Sequence, residues 1–293
     1  MGAEIGAEYA AAGFEVVLQC RSKERAAASE RRAQIALTNL SDVGVISAGQ
    51  TGVVTARISS STSVREACDG ATIVVESVVE DFPTKVEVLT EVASASGDAI
   101  VASNTSSLSI SQLADSSGVG ARLLGTHYWN PPTLMPLVEV VAGRATDPAI
   151  AEKMSGILRS IGKEPVLVPD IPGFVWNRLQ FALLHEAMRL VEHYAVAPET
   201  IDIILKRGLG RRWSLLGPFE AAALGGAHTF ATVAAGLFPE LEKGGVDPNT
   251  LLALQQPTAE RRNWLMARRN ASLRLLLLAD RRESGQDQQT PKA

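Results

Sequence analysis

From residue 14 to about residue 169 the chain alternates short apolar, β-branched runs with longer stretches of helical periodicity. The runs FEVVLQC (14–20), ATIVVESV (71–78), AIVAS (99–103), RLLGTHYW (122–129), LVEVVAG (137–143) and EPVLVP (164–169) predict strands. Several are apolar without alternation, the pattern of strands covered on both faces. Helical spacing over 23–40, 84–95 and 147–162 fills the intervals, so the pattern predicts βα units around a mostly parallel sheet. Pro83 suits the first turn of the second of these helices. After DIPGF (170–174) no strand pattern recurs up to residue 283, and VWNRLQFALLHEAMRLVEHYAV carries apolar residues at helical intervals. The expected organisation is an α/β domain over 1–170, an all-helical domain over 171–283 and a polar, disordered tail over 284–293.

Composition narrows the class. Hydrophobic residues make up 46% of the 293 and charged residues 20%, the balance of a soluble globular protein with real cores. A net charge of −4 gives no electrostatic case for nucleic acid or an anionic membrane. Cys20 and Cys68 form neither a disulfide framework nor a metal signature and fit a reducing, cytoplasmic setting. No 18-residue apolar run and no signal-peptide layout is present.

The opening stretch, MGAEIGAEYAAAGFEVVLQCRS, reads as the helix and second strand of a dinucleotide-binding βαβ unit. In such a unit glycines permit a tight turn and bring backbone N–H groups to a pyrophosphate at a helix N-terminus. Gly2 stands in the place of the last of those glycines, and the first strand of the unit is absent from the chain. The expectation is that Met1 is an internal methionine, that cofactor is bound poorly and that a sheet edge is unpaired. At the end of the second strand, where an acid usually accepts from the adenosine ribose, stand Cys20 and Arg21. A cation without the acid makes a 2′-phosphate tolerable, so both NAD and NADP are candidate cofactors.

Four later stretches are more specific: VVESVVEDFPTK (74–85), SNTSSLSI (103–110), GTHYWNPPTLMPLVEVV (125–141) and PGFVWNRL (172–179). In this order they resemble the L-3-hydroxyacyl-CoA dehydrogenase family, and GLGRRWSLLGPFEAAAL (208–224) extends the resemblance into the helical part. The resemblance implies a Rossmann-like domain, a helical domain that usually builds a homodimer, and hydride transfer between a 3-hydroxyl and a nicotinamide. It makes His127 the general base and Glu139 its partner, a pairing that chemistry also favours: imidazole titrates near neutrality, and a carboxylate fixes its tautomer. A lone carboxylate in an apolar strand also needs such a partner. Ser106 and Asn177 match residues that hydrogen-bond the substrate oxygen. Asn130, Glu80 and Lys85 match cofactor contacts.

The chain also departs from the CoA-using pattern. No lysine lies between Lys23 and Lys85, where a lysine-bearing hairpin holds CoA phosphates; Arg25, Arg31 and Arg32 are possible substitutes. The stretch 259–284, and in flavour GLGRRWSLLGPFE, look closer to relatives acting on free hydroxy acids, namely L-gulonate 3-dehydrogenase (related to lambda-crystallin) and carnitine dehydrogenase, while the clustered Arg207, Arg211 and Arg212 are candidates to meet either a substrate carboxylate or a CoA phosphate. The leucines of 259–284 are expected in a dimer core rather than a membrane. The reading is an NAD(P)-dependent dehydrogenase of an L-3-hydroxyacyl-CoA. Its alternatives are a dehydrogenase of a small CoA-free hydroxy acid and a catalytically silent relative.

Overall fold

The computed structural model describes residues 1–241 and 258–283. The tail expected to be disordered, 284–293, lies outside them. Seven strands form: β1 (Val16–Gln19), β2 (Ile58–Ser61), β3 (Ile73–Glu76), β4 (Ile100–Ser103), β5 (Leu123–Tyr128), β6 (Leu137–Ala142) and β7 (Glu164–Pro169). They fall into two sheets. One is the parallel pair β1-β2, and the other has the order β3-β4-β5-β6-β7 with every pairing parallel except β5-β6. The six expected strands are all present. β2 is an addition: its sequence, ISSS, offers neither an apolar run nor alternation, and parallel pairing with β1 makes it a strand.

The helices follow from local chemistry. α1 (Gly2–Ala11) packs so closely on β1 that a Cβ at Gly6 would sit 2.9 Å from Leu18 Cδ2. α2 (Lys23–Asp42) starts at Ser22, whose hydroxyl accepts from the Arg25 amide. Two short helices, α3 (Thr51–Thr55) and α4 (Val64–Cys68), bracket β2. α5 (Phe82–Ala95) is capped by Asp81 and carries Pro83 in its first turn, as expected. α6 (Ile110–Ser117), too short to show a period, is capped by Ser109 and ends on Gly118 at φ 74°. α7 (Pro148–Ser160) is capped by Asp147.

Leu89, Ile110, Leu113 and Leu123 lie in the core on one side of the larger sheet, and Ile5, Leu124, Met154 and Leu158 in a second. A third core joins α1 and α2 through Ala7, Ala36 and Leu37.

Residues 178–258 form a second compact unit, and among its described residues there is no strand. α8 (Trp176–Tyr194) leads into it, followed by α9 (Pro198–Ile204), a π-helical turn at Leu205–Leu209, α10 (Gly210–Trp213), α11 (Pro218–Gly225) and α12 (Ala227–Leu241). The long helix α13 (Ala259–Glu283) groups with the first unit instead of the helical one to which its position in sequence assigned it. Arg274 reaches Asn39 and forms an ion pair with Asp42 at 3.3 Å, and Arg281 donates to the Gly44 carbonyl. Among the described residues no single helix is long and apolar enough to cross a membrane.

One buried ion pair holds α1 to the sheet. Lys163 binds Glu8 and also donates to the carbonyls of Pro132 (2.7 Å) and Met135 (3.0 Å), fixing the connection between β5 and β6. Burial raises the Glu8 carboxyl to about 7, with Lys163 pulling the other way. A carboxyl whose folded pKa is raised binds more protons folded than unfolded, so stability falls as pH rises from about 4.5 to about 7. Urea unfolding across that window should show the fall, at most about 3 kcal/mol. Glu8→Gln should flatten this component of the pH dependence.

Candidate active site

His127 and Glu139 stand directly opposite each other on the antiparallel pair β5-β6. Both are buried, at 4% and 2% exposure, so neither can depend on water for its hydrogen bonds. His127 Nδ1 lies 2.8 Å from Glu139 Oε2. The other carboxylate oxygen, Oε1, accepts from the backbone N–H groups of Val175 (3.1 Å) and Trp176 (2.9 Å), at the start of α8. Burial pushes the Glu139 pKa up, but the hydrogen bonds from His127, Trp176 and Val175 outweigh it and hold the carboxyl below its ordinary value. An ionised Glu139 requires a proton on Nδ1 of His127, and in the neutral imidazole that tautomer leaves Nε2 with a free lone pair. The Trp129 indole nitrogen, 3.4 Å from Nδ1, is then a packing contact, because a protonated Nδ1 has no lone pair to offer.

The turn that delivers the α8 amides is made by Gly173 (φ 76°) and Phe174 (φ 51°), both in the left-handed region. Phe174 is fully buried, with its ring centroid 5.8 Å from that of His127, so packing holds the strained conformation in place. Trp129 and Trp176 stack with centroids 3.8 Å apart beside the imidazole. Trp129 is buried, whereas Trp176 is 38% exposed.

The structure also brings Ser106 and Asn177 together. Asn177 Nδ2 donates to the Ser106 backbone carbonyl at 2.6 Å, and both residues are half-buried. One amide proton and the Oδ1 of Asn177 remain for another partner, as does the Ser106 hydroxyl.

Glu80 organises the turn that carries Ser106. Its Oε1 accepts from Thr105 Oγ1 (2.7 Å), the Ser106 and Ser107 amides (2.8 and 3.0 Å) and the Ser107 hydroxyl (3.2 Å). Burial acts to raise its pKa, but those bonds together with Lys85 nearby lower it on balance. Asn130 is exposed at the end of β5.

Two expected cofactor contacts are placed differently. Lys85 is wholly buried, with Nζ on Glu76 Oε1 at 2.8 Å, the Val78 carbonyl at 3.4 Å and Glu80 at 3.6 Å. It neutralises Glu76, which also accepts from Ser103 Oγ and the Val78 amide. Cys20 is buried with Sγ against the Ser29 hydroxyl, while Arg21 beside it is exposed and makes no ion pair among the described residues. Gly2 opens α1, where no side chain caps the first amides.

Residues that sequence reasoning passed over complete the framework. Asn104 Oδ1 accepts from the Tyr128 amide, tying the ends of β4 and β5 together. Asp170 accepts from Ser109 Oγ and from both the amide and hydroxyl of Ser111, and so locks the start of α6 to the segment after β7. The partners of Asn104 and Asp170 lie 24 and about 60 residues away in sequence, so no local pattern signals either contact.

The model of the 3-hydroxyacyl-CoA dehydrogenase NAD-binding domain matches residues 1–171, and that of the C-terminal domain of the same enzymes matches residues 173–254. A 5-formyl-3-hydroxy-2-methylpyridine 4-carboxylate 5-dehydrogenase from Mesorhizobium japonicum is 33% identical over 243 residues, 82% of this chain and 78% of the relative. A probable 3-hydroxybutyryl-CoA dehydrogenase from Deinococcus radiodurans is 32% identical over 253 residues, 86% and 89% of the two chains. Among solved structures, a 5-formyl-3-hydroxy-2-methylpyridine 4-carboxylic acid 5-dehydrogenase, titled an NAD+-dependent dismutase, superposes with a TM-score of 0.84. It is 30% identical over 97% of this chain and 96% of its own.

The placement of Lys85 yields a test. Lys85→Met leaves Glu76 as an unpaired buried carboxylate and should cost about 3–5 kcal/mol in urea unfolding. NADH affinity of the remaining folded protein should be unchanged; lost affinity with retained stability would show a direct cofactor contact.

Proposed function

The chain belongs to the 3-hydroxyacyl-CoA dehydrogenase family of NAD-dependent oxidoreductases, and from that premise we propose that it oxidises the hydroxyl of an L-3-hydroxyacyl-CoA to a ketone with His127 and Glu139 as its acid–base pair. The observation that carries the reading is the buried 2.8 Å contact between Nδ1 and an ionised carboxylate, which leaves Nε2 as the base. Nε2 removes the hydroxyl proton, and Glu139 stabilises the imidazolium that results. The Ser106 hydroxyl and the second Asn177 amide proton hydrogen-bond the substrate oxygen and act most strongly on its charged form.

The residues fit a nicotinamide dinucleotide. The uncapped amides at Gly2 would hold the pyrophosphate, exposed Arg21 the adenosine ribose, and exposed Asn130 with the Glu80-held turn the nicotinamide portion. When bound, the cofactor supplies the hydride acceptor. The free guanidinium of Arg21, with no acid in place of Cys20, leaves room for a 2′-phosphate, so NADP is included with NAD.

A second reading keeps the chemistry and replaces the CoA thioester with a free acid. The stacked Trp129–Trp176 pair beside His127 favours it, since an exposed indole suits a flat substrate ring. The pyridine carboxylate named for the Mesorhizobium relative is of that kind. The assembly proposed is a homodimer. Leu215, Phe219 and Leu224 in the second unit are 83%, 89% and 75% exposed in the single chain, an apolar surface that a second copy would cover. Two buried free cysteines agree with a reducing cytoplasm.

His127→Gln should lower kcat by roughly 10²–10⁴ and also cost stability, since it takes the Nδ1 donor away from buried Glu139. Wild-type turnover of 3-hydroxybutyryl-CoA, L-gulonate, carnitine and a ring-bearing hydroxy acid then chooses between the readings. Turnover of only free acids would sink the CoA reading, and undiminished activity in His127→Gln would sink the base assignment.

A further inference from the structure

The contacts around the dyad close on themselves. From His127 they pass to Glu139 through Nδ1 and Oε2 at 2.8 Å, and from Oε1 to the Trp176 amide at 2.9 Å. The Trp176 indole lies on the Trp129 indole, with centroids 3.8 Å apart and planes inclined by 24°. Trp129 in turn meets the imidazole edge-on, its indole nitrogen 3.4 Å from Nδ1 and the planes at 78°. The loop thus joins the end of β5, the middle of β6 and the first residue of α8.

Two features set the indole stack apart from ordinary core filling. Trp129 is buried while Trp176 keeps 38% of its surface exposed, so a large apolar side chain stays at the surface to cover its partner. The first amides of α8 also reach Glu139 through the left-handed turn at Gly173 and Phe174, a conformation that persists only where packing holds it. Phe174 supplies part of that packing at 5.8 Å from the imidazole, and the stack supplies it at the first helical residue.

We propose that Trp129 and Trp176 are positioning residues, whose stack holds the start of α8 over the Glu139 carboxylate and so keeps the proton of His127 on Nδ1. The proposal rests on the reading of His127 as the base. A neutral imidazole carries its proton on either nitrogen, and only the Nδ1 tautomer leaves Nε2 able to take a proton from a hydroxyl. Glu139 selects that tautomer while Oε2 stays on Nδ1 and the Val175 and Trp176 amides hold Oε1. The indole N–H is a donor and not an acceptor, so Trp129 covers Nδ1 without competing with Glu139 for its proton. Asn177, the residue after Trp176, holds the Ser106 carbonyl at 2.6 Å, so the same stack aligns the groups assigned to the substrate oxygen. It engages one face of Trp176, and recognition of a flat substrate by the exposed indole is a separate role.

The test uses two variants of the full chain. Trp176→Ala keeps the backbone amide on Glu139 and removes the indole, whereas Trp176→Phe keeps a ring to stack. The His127 tautomer is read by nitrogen NMR of histidine-labelled protein at neutral pH, its signal assigned by loss in His127→Gln. Trp176→Ala should show both tautomers in exchange and lower kcat by roughly 10- to 100-fold with KM little changed. Trp176→Phe should restore the Nδ1-protonated ring and most of the rate. A folded Trp176→Ala protein with a single, Nδ1-protonated tautomer would overturn the proposal. So would a rise in KM for ring-bearing substrates alone, which would make the indole a recognition surface and nothing more. The NMR arm needs no turnover, so it decides the role of the stack even where no tested substrate reacts. Failure of the base assignment shows separately, as a wild-type ring already protonated on Nε2, and that result ends both.

Discussion

A single buried carboxylate, Glu139, ties together the elements of the candidate site. Glu139 has almost no access to water, and a charge so placed is costly unless both oxygens are satisfied. They are satisfied by different parts of the chain: one by the imidazole across the β5-β6 ladder, the other by the first amides of α8. The same interaction therefore fixes the tautomer of His127 and anchors the helix that brings in Trp176 and Asn177. Placing the carboxylate at a helix N-terminus adds the favourable end of the helix dipole. The sign of its linkage follows. With the folded pKa depressed, Glu139 contributes stability above its unfolded pKa and loses that contribution as pH falls through the folded value.

The surroundings make sense as supports for that arrangement. Gly173 and Phe174 adopt left-handed backbone conformations so that the chain can turn from β7 into α8 over the carboxylate. Asp170 clamps the segment just before them to the start of α6. On the other side, Lys163 ties α1 through Glu8 to the connection between β5 and β6, the strands that carry the dyad. Glu80 does similar work on the turn bearing Ser106, whose carbonyl in turn holds Asn177. Hydrogen bonds between residues far apart in sequence tie these elements of the candidate site to one another.

Much of this was legible in the chain, for reasons that differ by element. Apolar runs gave six of the seven strands: β4, β5 and β6 are buried at successive positions, whereas β1, β3 and β7 carry apolar runs that are only partly buried. β2 was not legible because three serines carry no burial signal. Helix α6 is too short for periodicity, and its capping serine looks like any turn serine. The pairing of His127 with Glu139 was implied by the family resemblance, chemistry agreed because a carboxylate in an apolar strand demands a partner, and the strand register sets the two opposite each other. The environment of Lys85 was not legible. A lysine four residues after an aspartate at a helix start looks solvated, and only the sheet topology shows Glu76 beneath it. Helix α13 follows the helical unit in sequence, yet it groups with the first unit, and its Arg274 and Arg281 contact residues 39–44 there.

The division of the sheet raises the same point at larger scale. β1 and β3 are sound strands by composition, and each finds one proper partner, yet neither is buried as its sequence suits. Local propensity is met there while the global packing is not, a conflict that stands apart from the well-satisfied site on β5 and β6. The dyad is the more demanding claim, because it assigns a proton to one atom. Nitrogen NMR of the His127 imidazole at neutral pH tests it most directly. The account predicts a neutral ring protonated on Nδ1 with Nε2 bare, a state lost in Glu139→Gln. A ring protonated on Nε2, or one indifferent to Glu139, would contradict it.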